Sequence, residues 1–181
     1  MEIKDIGQFI FWGASIVGIG FAVWKGLGEF RRSREQREQE LRWKKADAAR
    51  SLIHDLFNNP RSQNAAWMLD YDGRTFDIGE RKIKVTREIL RNALRTDNLE
   101  SLNDVEFFIR DCFDDFFFLV DLMNHAWTSK LIDLDDVKFH FDYYVIDCMK
   151  REATVLDAYM ERYGYKGAMS LFKKIGESSS Q

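Results

Sequence analysis

The chain has 181 residues, 45% of them hydrophobic and 14% aromatic with fifteen Phe, which is material for one packed domain plus an extension. Its single proline, Pro60, and its long periodic stretches favour an all-α chain. The net charge of -3 hides an asymmetry: residues 25–45 hold eight Lys/Arg against four Glu, or +4, and residues 46–181 carry -6, an acidic balance that argues against a nucleic-acid partner.

Residues 6–24, IGQFIFWGASIVGIGFAVW, contain no charged side chain. These nineteen residues would span about 28 Å as a helix, close to a hydrocarbon core of roughly 30 Å. The flanks lack the basic n-region and small-residue cleavage site of a secretory signal. The expectation is a transmembrane anchor over 6–24. Lys4 is the only basic side chain before it, whereas Lys25, Arg31, Arg32, Arg34, Arg37 and Arg42 follow. That bias predicts a single-pass inner-membrane protein with its N-terminus outside and its C-terminal domain cytoplasmic. Ala14, Gly18, Ala22 and Gly26 recur every fourth residue, either as a self-association seam or because small residues are common in spans.

Residues 25–58 are expected to form a juxtamembrane helical stalk. Lys25, Arg31, Arg32, Arg34 and Arg37 make a basic collar suited to anionic headgroups or simply to setting topology. Glu38 with Arg42, and Glu40 with Lys44, have the spacing and order that support an isolated helix. Leu41, Ala48, Leu52 and Leu56, flanked by Ala49, Ile53 and Phe57, then give the stalk an apolar face.

Residues 59–175 are expected to be a helical cytoplasmic domain, and 176–181 a disordered tail. Ser62 is a candidate cap for a short helix carrying Ala65, Ala66, Trp67 and Met68. The stretch LDYDGRTFDIGER, 69–81, does not read as helix; its acids miss the calcium-loop spacing, and a turn at Asp72-Gly73 with a small hairpin is expected. Helices are predicted over 83–95, from about Asn103 to Trp127, and from Asp133 to Tyr163. The middle one is apolar over most of its circumference and should be central. Cys112 and Cys148 lie among apolar neighbours and read as buried reduced thiols.

No hydrolase, phosphate-loop, dinucleotide or zinc-protease motif is present, and no cofactor is expected. Asp121 and His125 are four apart, as are Asp136 and His140. If the two long helices form an antiparallel hairpin, the pairs face one another as a possible metal set or as ordinary Asp–His contacts. Asp111, Asp114 and Asp115 read as a solvated acidic edge, and His54 as structural.

With these segments in order, NNP, AAWMLDYDGRTFD and FDDFFFLVDLMNHAWTSKLIDLDDV resemble a family of small bacterial and prophage membrane-anchored proteins of unknown function. The resemblance implies a helical cytoplasmic domain and supplies no catalytic residues. The expected function is that of a non-enzymatic, membrane-anchored interaction or regulatory protein acting by protein–protein contact, homo-oligomeric through anchor and stalk. The alternatives are a membrane-disturbing effector of a phage-defence or toxin system, and a metal-binding sensor or enzyme on the Asp/His hairpin.

Overall fold

In the computed structural model, backbone is described for residues 3–97 and 99–179, and side chains for 29, 31–97, 99–145 and 147–178. The fold is mostly helical, with one two-stranded sheet. Two units are distinguished, Met1–Lys44 and Lys45–Gln181. Helix α1 spans Ile3–Asn58.

In the first unit, every described side chain is exposed. The pair Glu40–Lys44 forms at 2.7 Å, but Glu38 turns back to Arg34 at 3.2 Å rather than forward to Arg42. Both pairs are solvent-facing and contribute little to stability. Among the described residues no helix is long and apolar enough to cross a membrane. This corrects the expected single-pass inner-membrane placement. The described side chains of α1 before Lys45 are almost all charged or amide-bearing, a composition hydrocarbon does not accept. The expected anchor at 6–24, its stripe Ala14, Gly18, Ala22 and Gly26, and Lys25 of the collar lie outside the described side chains.

The second unit begins with the last turns of α1. Ala49 and Leu56 are buried there, with Ala48, Leu52, Ile53 and Phe57 packed against the core; Leu41, expected on the same face, is 60% exposed. Asn59 ends α1 and caps α2 (Pro60–Asp70), its side chain accepting from the N–H groups of Arg61 and Ser62. Pro60 occupies the first helical position, where its missing N–H costs nothing. Ser62, expected as the cap, is instead buried at the third position.

Strands β1 (Arg74–Ile78) and β2 (Arg81–Val85) pair antiparallel, with Phe76 opposite Ile83. Phe76 and Val85 face the core. The turn needs Gly79 at φ +61°, a conformation open to glycine. Residues 83–85, expected as helix, are thus strand. Helix α3 (Arg87–Ala93) starts only at the Thr86 cap, whose hydroxyl accepts from the Ile89 N–H.

Helix α4 (Asp104–Thr128) follows the expected bounds closely and opens on a capping box. The Asn103 side chain accepts from the third helical N–H, and the Glu106 carboxylate accepts from the Asn103 N–H. Helix α5 covers Leu134–Tyr143. The expected continuous helix to Tyr163 is broken by a π-helical turn, Tyr144–Cys148, and a 3-10 turn, Met149–Glu152, before α6 (Ala153–Tyr163). Gly164 closes α6 at φ +83°, and α7 runs Lys166–Ser179, so residues 176–179 are helical where a disordered tail was expected.

Because α4 is apolar on most sides, it must be covered on more than one. Helix α2 packs on it, and α7 packs against both α4 and α5. The Phe172 ring lies 6.5 Å from Phe116, 6.5 Å from Phe117 and 5.9 Å from Phe141, centroid to centroid. The α4–α5 hairpin expected at the centre is therefore replaced by a layer in which α7 bridges the two helices.

Phe117 is fully buried, while its neighbour Phe118 is 56% exposed. Phe117→Ala is expected to cost about 3–5 kcal/mol by opening a cavity. Phe118→Ala should stay within roughly 0.5 kcal/mol, both read by urea unfolding.

Candidate functional site

The described side chains hold two built features beside α7: a polar seam along α4 and an open apolar cleft.

The seam follows positions 106, 110, 114 and 121 of α4, a spacing that keeps them on one helical face. Glu106 and Arg110 are buried. Arg95 pairs with the Glu106 carboxylate and holds it below the usual carboxylate range, against the opposing effect of burial. Arg110 donates to the carbonyls of Ala93, at 2.9 Å, and Arg95, at 3.1 Å, and to the Tyr163 hydroxyl. Its guanidinium also lies 5.0 Å from the ring centres of both Tyr159 and Tyr163. One turn on, an Asp114 oxygen accepts from the Tyr159 hydroxyl at 2.7 Å and the Tyr165 hydroxyl at 2.8 Å. Asp121 accepts from the Ala168 N–H in the first turn of α7. Gly167 makes room for it: a Cβ there would lie 2.7 Å from Asp121 Oδ1. The seam thus fixes where α6 and α7 sit on α4.

A second buried carboxylate secures the broken segment. Glu152 accepts from Arg91 Nε at 2.7 Å and Arg91 Nη2 at 3.1 Å. Arg87 stands 4.0 Å away while donating to the carbonyls of Met68 and Leu69 at the end of α2. The Tyr143 hydroxyl reaches Asp70 of the same helix. These contacts tie α3 and α2 to the stretch between α5 and α6.

That stretch forms one wall of a cleft of about 630 Å³ that opens to solvent. Val145, Met149, Leu156, Met160, Met169 and Phe172 supply its apolar lining, and Lys150, Lys166, Lys173, Asp157 and Ser170 its polar rim. Three of the lining side chains are methionines, unbranched and able to refit against different shapes.

The residues singled out in the sequence fall elsewhere. Among the described residues no group of three or more His, Cys, Asp or Glu could hold a metal ion. Asp121, His125, Asp136 and His140 are not brought together as a ligand set, because α7 occupies the position the hairpin partner was expected to take. Asp121 serves the α7 N–H, His125 is exposed, and Asp136 is half-buried in the first turn of α5. His140 is exposed with Phe139 edge-on at 5.5 Å. Asp133 makes no side-chain cap bond and pairs with Lys45 at 2.7 Å. The acidic edge also divides: Asp111 lies 3.5 Å from Arg61 at the surface, whereas Asp114 belongs to the seam. In the basic collar Arg31, Arg32, Arg34 and Arg37 are exposed. His54 is exposed, 3.8 Å from Asp55. Both cysteines are free and buried, and burial pushes the Cys112 thiol up to about 12, so it stays protonated at neutral pH.

Neither the seam nor the cleft was found from the sequence, although the recurrence of Glu106, Arg110, Asp114 and Asp121 on an otherwise apolar helix was a signal for the first. Comparison with protein-family models, curated proteins and solved structures gives no match.

Burial, and then the bond to Asp114, raise the Tyr159 and Tyr165 hydroxyls well above the ordinary tyrosine value. A raised folded value means the contribution is complete below the unfolded value, about pH 10, and is lost as pH climbs through the folded one. The urea midpoint is expected to decline above about pH 10, and Tyr159→Phe/Tyr165→Phe should have a lower neutral midpoint and a shallower alkaline decline. An unchanged alkaline slope would remove these hydroxyls from the network.

Proposed function

We propose that this chain is a helical interaction protein that works by protein–protein contact at the cleft between α6, the turns before it, and α7. The observation that carries this reading is the cleft itself: an open cleft lined by three methionines and other apolar side chains. Apolar concavities of a few hundred Å³ are where proteins receive ligands and partner side chains. The π-helical turn in the wall supports the reading, because such turns recur at functional sites.

The test places a photoactivatable amino acid at Met169, a half-buried lining position, in the full-length chain, with Lys82 on the exposed face of β2 as control. Irradiation in host cells is expected to give a discrete protein adduct from position 169 that is absent from position 82. No adduct at 169, or the same adducts from both positions, would overturn the reading.

A further inference from the structure

We propose that the partner received by this cleft is an acidic amphipathic helix of another protein, an inference that rests on the interaction reading above. The argument starts from charge. Residues 46–181 carry -6, yet the cleft rim holds three lysines against one aspartate, or +2. Some basic side chains elsewhere in the domain are engaged. Lys45 pairs with Asp133, Lys138 donates to the Ser178 carbonyl, and Lys174 lies 3.6 Å from Glu177. Lys150, Lys166 and Lys173 form no ion pair among the described residues. A rim of opposite sign to its own domain favours an anionic occupant.

Shape distinguishes a helix from a small amphipathic anion. An enclosed pocket would bury most of a small ligand, whereas this cleft opens to solvent. Its wall on α7 presents Lys166, Met169, Ser170 and Lys173, a three-to-four-residue recurrence along one face. Lys166 and Lys173 are seven residues apart, so their backbone positions lie about 10 Å apart along the axis. An α-helix lying in the trough would match them with acidic residues two turns apart. Its apolar residues at i, i+3, i+4 and i+7 would enter between the methionines, the helix-in-groove mode. Asp157 on the opposite wall makes the rim asymmetric and favours one orientation of the guest.

The experiment uses the full-length chain and two dye-labelled amphipathic peptides of about five helical turns with identical leucine positions. One is flanked by glutamates and the other by lysines. Fluorescence anisotropy is expected to show the glutamate peptide binding about tenfold tighter or better, with the difference shrinking as salt is added. The exposed triple variant Lys150→Glu/Lys166→Glu/Lys173→Glu should reverse the preference while keeping the native urea midpoint. Equal binding of both peptides, binding of neither, or an unreversed preference in the folded variant would overturn the proposal. So would saturable binding of dodecanoate with no peptide binding, which would assign the cleft to a small amphipathic anion. A protein adduct from position 169 alongside peptides that bind without charge preference would leave the interaction reading standing and remove the acidic helix.

Discussion

The constraint on which the domain depends is the burial of α4. Ile109, Cys112, Phe113, Phe116, Phe117, Val120 and Met123 are all essentially inaccessible, and they do not lie on one narrow stripe. No single neighbouring helix can cover them. Helix α2 takes one side, and α7 takes another while reaching α5 through Phe172. The position of α7 follows from this demand, and with it the trough that α7 forms against α6. The candidate site is therefore a by-product of how the central helix is covered.

Apolar packing alone leaves the rotation of α6 and α7 loosely specified, because phenylalanine rings tolerate many arrangements. The polar seam removes that freedom. A buried guanidinium at Arg110 and a carboxylate at Asp114 must each be satisfied, and their partners, Tyr159, Tyr163 and Tyr165, lie on or just after α6. Leaving either charge unpaired would cost several kcal/mol, more than a slipped aromatic contact. The pairing of Glu152 with Arg91 does the same for the segment before α6. Such groups contribute less to net stability than to the choice of one arrangement among near-equals.

Local chemistry was the legible part of the sequence. The helical class, the bounds of α4, the turn at Asp72-Gly73 and the burial of Cys112 and Cys148 follow from periodicity, caps and glycine. The break at 144–152 was not legible because nothing between Leu134 and Tyr163 is a glycine or proline. The stretch is instead held by partners distant in sequence: Glu152 accepts from Arg91, and the Tyr143 hydroxyl reaches Asp70. The metal set failed for a related reason. Symmetry of spacing about a turn assumes that two sequential helices pack together, and here a third helix intervenes. The charge-free run at 6–24 read as a span from composition, and the described residues contain no helix that would cross a membrane.

The π-helical turn has an evolutionary corollary. It holds surplus backbone within a run that is otherwise helical, so it acts as a spacer between the faces of α5 and α6. Loss of one codon there would let the chain wind as an ordinary helix and rotate everything downstream by roughly 100°. Tyr159 would swing away from Asp114, and the trough wall would turn with it. A codon lost from the tip of the hairpin at Gly79-Glu80, by contrast, would disturb only an exposed loop. Drift in length among descendants of this gene should accumulate at the hairpin tip and spare residues 144–152.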